Sequence, residues 1–236
     1  NEGIGISNYS LMAIFYLPQL QEQDKEIVLS EEESKHCIRV LRFKVGDALS
    51  LVNGQGLTAE ATISDANPKK CKANIHSCVV HPKTQDIHIA VCPTKNADRL
   101  EWLIEKAVEL GLTRITFLHS KNNERTNLKL ERIEKIAIAA MKQSKRFFLP
   151  EIIPMMHIDK FTAEFPGGYI AHCYEAEKHL AVNGLKNGPV IIGPEGDFTQ
   201  EEVDIAMRNG YTALDLGPFR LRTETAALAA VLHLQK

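Results

Sequence analysis

The sequence contains no apolar run long enough to cross a membrane. Its longest unbroken apolar runs, Leu11–Leu17 and Ala226–Leu232, are far shorter than the roughly 18 residues of a spanning helix. Cysteine is also scarce: the chain has five, they are scattered, and none forms a Cys-x-x-Cys pair. An odd, scattered set of thiols argues against a secreted disulfide scaffold and predicts a reduced, cytoplasmic protein.

An excess of positive charge is missing as well, because 28 Lys and Arg residues face 30 Asp and Glu residues and the net charge is −2. A general polyanion binder is usually basic, so any nucleic-acid surface must be a local patch. Three basic clusters are present, and we expect RNA contacts from Arg39, Arg42, Lys44, Lys69, Lys70, Lys72, Lys145 and Arg146. One such cluster alone is more simply a solvated surface, but three in a net-acidic chain predict phosphate contacts.

The hydrophobic pattern changes near residue 86. From Met12 onward, short strand-like runs are separated by turn signals such as Asn53–Gly56, and one helix is predicted from Ser30 to Leu41. Residues 12–85 therefore predict a small β-barrel-like domain. Over residues 86–236 strands alternate with helices, which predicts an α/β domain with a mostly parallel sheet covered on both faces.

Two local patterns resemble cofactor or metal sites but are better explained otherwise. Gly54–Ala59 matches the Gly-x-Gly-x-x-Ala dinucleotide fingerprint, yet the residues that follow alternate like a strand, so a hairpin turn is predicted. Cys71, His76, Cys78 and His81 lie close together, but their spacing fits no standard zinc site. We therefore predict no metal.

Three segments that follow predicted strands are candidates for a ligand site, because ligands of parallel sheets bind beyond the carboxyl ends of the strands. We call them loop A (residues 172–175), loop B (192–198) and loop C (216–225). In loop B, Gly193 and Gly196 can adopt positive φ, while Pro194 stiffens the turn between them. The exposed backbone groups of such a loop suit a flat heterocycle, although for loop B alone a tight strand-to-helix connection is the slightly better explanation.

Loop C contains more charged residues than a simple strand-to-helix connection requires. Arg220, Arg222 and Glu224 cluster where the last helix is predicted to begin, and Thr223 is the expected N-cap of that helix. Two arginines and a glutamate at the edge of a sheet indicate an anionic or polar substrate.

The loops in order resemble a known family. Gly193-Pro-Glu-Gly-Asp-Phe198 followed by Leu216-Gly-Pro-Phe-Arg-Leu-Arg-Thr-Glu-Thr-Ala226 is similar to the signature of the ribosomal RNA small subunit methyltransferase E family. These are 16S rRNA uridine-N3 methyltransferases of the SPOUT, or trefoil-knot, superfamily. The segments 36–42, 101–111 and 143–146 agree, and the resemblance covers Met12–Lys236. Asp197 departs from the pattern, because the family commonly carries a second glycine there.

The resemblance implies a PUA-like barrel, a knotted methyltransferase domain, S-adenosylmethionine as methyl donor, the 16S rRNA of the small ribosomal subunit as substrate, and a homodimer. It implies these cofactor-binding residues: Cys173, Tyr174, Glu175, Gly193, Pro194, Glu195, Gly196, Leu216, Gly217, Leu221, Arg222 and Thr223. Arg222 is the candidate that stabilises negative charge on the base or positions the phosphate. Glu224 or Glu195 is the candidate that accepts the N3 proton or orients the arginine.

Two other functions stay open on the sequence. One is a methyltransferase of the same fold that acts on another rRNA or tRNA nucleotide. The other is a non-catalytic RNA-binding protein on the same scaffold, which would bind RNA without binding the cofactor. The residues of loops B and C favour an enzyme over the second alternative.

Overall fold

A computed structural model describes residues 13–83, 85–185 and 188–235. The expected strand start at Met12 lies outside these residues. The described chain forms two compact units, one of residues 13–83 and 142–148 and one of the remaining described residues. The segment 142–148 thus belongs to the first unit, whereas the sequence pattern placed it in the α/β domain over residues 86–236.

The first unit is built on a five-stranded mixed sheet in the order β1-β3-β4-β5-β2. Its strands are β1 (Ile14–Tyr16), β2 (Glu26–Val28), β3 (Ala48–Val52), β4 (Leu57–Asp65) and β5 (Lys72–Val80). The strands β1 and β3 are parallel, and the other pairs are antiparallel. Side chains such as Phe15, Leu49 and Ile63 fill the core on one face of this sheet.

The predicted hairpin turn joins β3 to β4. The Asn53 side-chain oxygen accepts hydrogen bonds from the backbone N–H groups of Gln55 (2.7 Å) and Leu57 (3.0 Å), and Gly54 and Gly56 both have positive φ. Because β4 follows directly instead of a helix, the formal dinucleotide fingerprint in this segment is a turn.

The predicted helix over 30–41 is a short α-helix, α1 (Glu31–Lys35), that continues as a π-helix over His36–Val40. Ser30 caps α1 by accepting a hydrogen bond from the Glu33 backbone N–H. The Glu33 carboxylate accepts a hydrogen bond from the Lys142 ammonium at 2.5 Å. The Phe147 ring stacks on the His81 ring with 3.8 Å between the ring centroids. These contacts hold the segment 142–148 in the first unit.

The second unit contains a seven-stranded sheet in the order β10-β12-β9-β11-β6-β7-β8, and every pairing in it is parallel. Its strands are β6 (His88–Val91), β7 (Arg114–His119), β8 (Glu151–His157), β9 (Gly168–Ala171), β10 (His179–Leu180), β11 (Val190–Ile192) and β12 (Tyr211–Asp215). The predicted parallel sheet is therefore confirmed. The sequence pattern missed β8 and β10, which are the two edge strands; β8 contains Pro154, which is tolerated at an edge.

Helices follow the strands of this sheet. They are α2 (Ala97–Glu109), α3 (Leu130–Gln143), α4 (Ile158–Glu164), α5 (Gln200–Arg208) and α6 (Thr223–Leu234). The predicted capping box of α5 is present, because Thr199 and Glu202 exchange hydrogen bonds. Within the described residues, the structure has no helix whose length and apolar character would let it span a bilayer.

The N-cap of α6 differs from the prediction. Arg222 is the N-cap residue and makes no side-chain capping bond, while Thr223 is the first helical residue. The Thr223 hydroxyl instead donates to a carbonyl of loop B, so it contributes to tertiary contact between two loops and not to the cap.

Candidate active site

Three neighbouring strands bring the three loops together. Loops A, B and C follow β9, β11 and β12, which are adjacent in the order β12-β9-β11. Because these strands are parallel, their carboxyl ends lie at one edge of the sheet, and the loops there line a cavity of about 760 Å³. We call it the main cavity. Its volume falls in the range of small-molecule sites.

Loop B takes a different conformation from the one its glycines predict. Neither Gly193 nor Gly196 has positive φ; Asp197 has φ +62° instead. A Cβ would be crowded at both glycines: on Gly193 it would lie 3.0 Å from the Phe198 ring, and on Gly196 it would lie 3.2 Å from Asn122. The positive φ that these glycines allow is therefore not used by them, and Asp197 adopts it instead.

The Asp197 carboxylate connects loop B to loop A. One of its oxygens accepts the backbone N–H of Cys173 at 2.8 Å, and the other accepts that of Phe198 at 2.8 Å. Burial raises the pKa of the Cys173 thiol, and a hydrogen bond to Asp197 raises it further. Cys173 is therefore protonated at neutral pH and is not a thiolate nucleophile.

Loop C contacts loop B through the start of α6. The buried Thr223 hydroxyl donates to the Gly193 carbonyl at 3.0 Å. Gly217 has φ +132°, and its N–H donates to an Asp215 carboxylate oxygen at 2.8 Å. Loop B is thus connected to loop A by Asp197 and to loop C by Thr223.

Replacing Thr223 with valine is expected to lower the free energy of unfolding by about 1 kcal/mol, because valine keeps the shape but cannot donate the hydrogen bond. Urea denaturation followed by the fluorescence of Trp102, the chain's one tryptophan, measures this loss in the second unit. Thr225→Val, at an exposed position on the same helix, is the matched control. Equal stability of the two variants would contradict the prediction.

Most of the predicted cofactor residues line the main cavity. Those that do are Cys173, Gly193, Pro194, Glu195, Leu216, Gly217, Leu221, Arg222 and Thr223. Tyr174, Glu175 and Gly196 do not: the Tyr174 hydroxyl donates to the Phe198 carbonyl, Glu175 is exposed, and the Gly196 Cβ position faces Asn122.

The cavity is also lined by polar residues that were not among the predicted cofactor-binding residues. They are His172, Lys178, Asp197, Asp215 and Arg220. Burial lowers the pKa of His172, and the nearby Lys178 lowers it further, so this imidazole is neutral at neutral pH. His172, Asp197 and Arg220 belong to the predicted loops A, B and C, whereas Lys178 and Asp215 lie outside these loops and no sequence motif pointed to them.

The two candidate carboxylates lie in different surroundings. Glu195 lines the main cavity, and one of its oxygens accepts the backbone N–H of Lys95 at 3.1 Å. Glu224 is buried, lies 3.8 Å from the Nε atom of Arg99, and lines a second cavity of about 640 Å³. Arg222 is exposed, lines both cavities, and has no ion-pair partner among the residues that the structure describes.

Comparison with known proteins decides the family. A family model described as "RNA methyltransferase domain" matches residues 81–235, about two thirds of the chain, and one described as "RNA methyltransferase PUA domain" matches residues 29–75. A curated "Ribosomal RNA small subunit methyltransferase E" of Rickettsia conorii is 28% identical over 93% of this chain and 93% of its own length. The chain belongs to the ribosomal RNA small subunit methyltransferase E family.

Solved structures agree with this family. A "probable rRNA-methyltransferase" from Porphyromonas gingivalis superposes with a TM-score of 0.85 at 36% identity, covering 94% of this chain and 98% of that one. A ribosomal RNA small subunit methyltransferase E from Neisseria gonorrhoeae, bound to S-adenosyl methionine, superposes with a TM-score of 0.83 at 27% identity, covering 95% and 97%. The predicted fold class, a PUA-like β-domain followed by a SPOUT α/β-knot domain, is confirmed.

The predicted RNA-binding residues of this family member all lie in the first unit. Arg39, Lys44, Lys69 and Lys70 are exposed, whereas the Lys72 ammonium lies 3.5 Å from the Glu26 carboxylate. The backbone φ is positive at Arg42 (+61°) and Lys145 (+56°), and burial lowers the pKa of Arg146. Because the segment 142–148 belongs to the first unit, the basic cluster of Lys145 and Arg146 lies in the same unit as the other basic residues.

Proposed function

We propose that this chain transfers a methyl group from S-adenosylmethionine to N3 of a uridine in the 16S rRNA of the small ribosomal subunit. The observation that carries the proposal is the convergence of loops A, B and C on one cavity with Arg222 at its edge. Methyl transfer is assigned to the α/β domain, predicted over residues 86–236. RNA binding is assigned to the PUA-like domain, predicted over residues 12–85.

The polar and charged groups that line the main cavity match those of S-adenosylmethionine. Loops B and C present backbone groups around Gly193 and Gly217, and the lining includes the carboxylates of Glu195, Asp197 and Asp215. The lining also includes three cations, those of Lys178, Arg220 and Arg222. Charges of both signs suit a ligand that carries a sulfonium, an ammonium and a carboxylate group. When bound, this group supplies a methyl on a good leaving group, so the protein residues need to align the acceptor and not to protonate the donor.

The acceptor requires more help than the donor. Uridine N3 carries a proton and is a poor nucleophile until that proton leaves. We assign to the guanidinium of Arg222, which lines the main cavity, the stabilisation of the negative charge that then develops on the base. Of the two carboxylates, Glu195 lines the main cavity and Glu224 lines only the second one, so we assign acceptance of the N3 proton to Glu195 and a supporting role beside Arg99 to Glu224.

The basic clusters of the first unit are expected to position the RNA by its phosphates. The Lys69→Ala/Lys70→Ala double variant should bind 16S rRNA more weakly, and the slope of log affinity against log salt should fall by about 2, roughly 0.9 for each lost phosphate contact. Filter binding between about 50 and 200 mM salt measures the slope. Lys135→Ala/Lys160→Ala, two exposed lysines of the second unit, is the control, and an unchanged slope for the first variant would count against these contacts.

A homodimer and a cytoplasmic location complete the proposal. The apolar residues of α6 do not form an open face as a whole, since Ala227, Ala230 and Val231 are buried within the unit. Trp102 on α2 and Leu232 on α6 remain exposed at 46% and 51%. Light scattering on the purified chain tests the dimer.

The experiment that tests the function is methylation of small ribosomal subunits taken from cells that lack rRNA uridine-N3 methylation. Labelled S-adenosylmethionine and mass spectrometry of the nucleosides identify the product. New N3-methyluridine supports the proposal. Methylation of another nucleoside, or of transfer RNA, would correct the substrate, and RNA binding without cofactor binding would favour a binding protein.

A further inference from the structure

Asp197 occupies a conformation that few non-glycine residues adopt. Its φ of +62° lies in the left-handed region, where a side chain is normally disfavoured and where aspartate and asparagine are among the residues that are tolerated. Its N–H donates to the Pro194 carbonyl at 3.0 Å, and its own carbonyl accepts the Asn122 side-chain amide at 3.0 Å. The backbone of Asp197 is therefore fixed on both sides.

This backbone conformation directs the carboxylate toward two backbone donors. One oxygen accepts the N–H of Cys173 in loop A, and the other accepts the N–H of Phe198 in loop B, both at 2.8 Å. Hydrogen bonds to a charged acceptor are stronger than neutral ones. Both oxygens are used, and one of the bonds joins two separate segments of the cavity wall.

Loop A has few other restraints. Residues 173–177 are exposed and have no regular secondary structure. Among the described residues, its other contacts are a hydrogen bond from the Tyr174 hydroxyl to the Phe198 carbonyl, one from the Lys178 ammonium to the His172 carbonyl, and a tilted contact between the His172 and Tyr174 rings. Asp197 therefore supplies the bond from the loop B wall to the backbone of loop A.

We propose that Asp197 is a positioning residue that holds loop A against loop B, so that the main cavity is formed before the cofactor binds. The inference rests on the proposed function, because it assigns S-adenosylmethionine to this cavity. A site that is already ordered loses less conformational entropy on binding than one that the ligand must order. Asp197 thus contributes to cofactor affinity and much less to the chemical step.

Two substitutions separate the carboxylate from the backbone conformation. Asp197→Gly keeps φ +62° without strain and removes both acceptors. Asp197→Asn also tolerates this φ, but its amide has one acceptor oxygen, and its NH₂ group faces the second N–H donor. Both variants are expected to fold. Asp204→Asn, at an exposed position on α5, is the control for the loss of one negative charge.

Calorimetry with S-adenosylmethionine and the full chain measures the affinity, and steady-state methylation measures kcat and KM. For Asp197→Gly we expect an affinity about tenfold lower and a KM raised by the same factor, with kcat changed about threefold or less; tenfold in affinity corresponds to about 1.4 kcal/mol. Asp197→Asn is expected to lose about threefold to tenfold, since at least one of two bonds is lost. Asp204→Asn should match the wild type.

Hydrogen exchange of the backbone amides in residues 172–176, without cofactor, is the second measurement. The Cys173 amide should be protected in the wild type and exchange faster in Asp197→Gly. Equal affinity of the wild type and Asp197→Gly, or an unprotected Cys173 amide in the wild type, would overturn the positioning role while leaving the proposed function intact. A wild type that binds no S-adenosylmethionine would overturn both.

Discussion

Arg222→Ala is expected to lower the rate of methyl transfer about 10²–10³-fold, the loss seen when one preorganised donor to a developing negative charge is removed. The affinity for S-adenosylmethionine should stay within about threefold, because the other residues that line the cavity keep their contacts with the cofactor. The loss of one contact at an exposed side chain is worth about 0.5 kcal/mol. The expected change therefore falls on kcat and not on cofactor binding.

The structure gives a reason why the helix should survive this substitution. Arg222 is the N-cap residue of α6, but its side chain makes no capping hydrogen bond. It is exposed and has no ion-pair partner within the described residues. Truncating it therefore removes a cation from the cavity edge without removing a structural contact.

Single-turnover methylation and calorimetric titration with the cofactor measure the two effects separately. Arg222→Lys keeps the positive charge but not the planar donor group, so it should recover only part of the rate. Arg208→Ala, an exposed arginine on α5, is the matched control and should behave like the wild type. A parallel loss of rate and of cofactor affinity in Arg222→Ala would indicate a structural role instead.

The stability of the folded protein is expected to fall in acid because of one buried histidine, His88. His88 on β6 is 4% exposed, shares a hydrogen bond of 2.8 Å with the Thr116 hydroxyl, and lies against the Phe161 and Phe165 rings. Burial lowers the pKa of His88 to about 4, and the positive charge of Arg114 adds to the shift. This imidazole is therefore neutral in the folded protein at pH values where it is protonated in the unfolded chain.

The direction of the effect follows from proton uptake. Between pH 6.5 and pH 4 the unfolded chain binds a proton at His88 that the folded protein does not bind, so acid favours unfolding. The stability is complete above about pH 6.5, the pKa of an unperturbed histidine, and falls as the pH drops toward 4. The contribution of His88 over this window is about 3 kcal/mol at 1.36 kcal/mol for each pKa unit.

Urea denaturation at several pH values, followed by Trp102 fluorescence, measures this loss. His88→Gln keeps a polar group next to Thr116 but cannot take up the proton, so its stability should fall less steeply with acid than that of the wild type. His76→Gln, an exposed histidine of the first unit, is the control. Wild type and His88→Gln with the same pH dependence would refute the assignment.

Much of the fold could be predicted from local patterns in the amino-acid sequence. The alternation of strands and helices after residue 86 predicted a parallel sheet, and the turn residues around Asn53 predicted the β3–β4 hairpin. Both hold because a strand, a cap or a tight turn is decided by residues close in sequence. The edge strand β8 escaped this reasoning, since its hydrophobic residues are interrupted by Pro154 and only one neighbour pairs with it.

Conformation and side-chain direction at the site depended on residues far apart in the chain. Gly193 and Gly196 could have adopted positive φ, but they lie close to the side chains of Phe198 and Asn122, respectively, and Asp197 takes the left-handed conformation instead. Thr223 has the chemistry of an N-cap, yet its hydroxyl is used by the Gly193 carbonyl. These outcomes required the tertiary contacts between loops.

The amino-acid sequence was enough to predict a β-domain followed by a parallel α/β domain, with the chemically informative residues in loops B and C. The packing of the elements decided that Glu195 lines the main cavity and Glu224 the second one, because α2 packs beside α6 and places Arg99 near Glu224. It also decided that residues 142–148 belong to the first unit, through Lys142 on Glu33. The physical reason is the same in both cases: a local pattern fixes an element, whereas the partner of a side chain is fixed by how the elements pack.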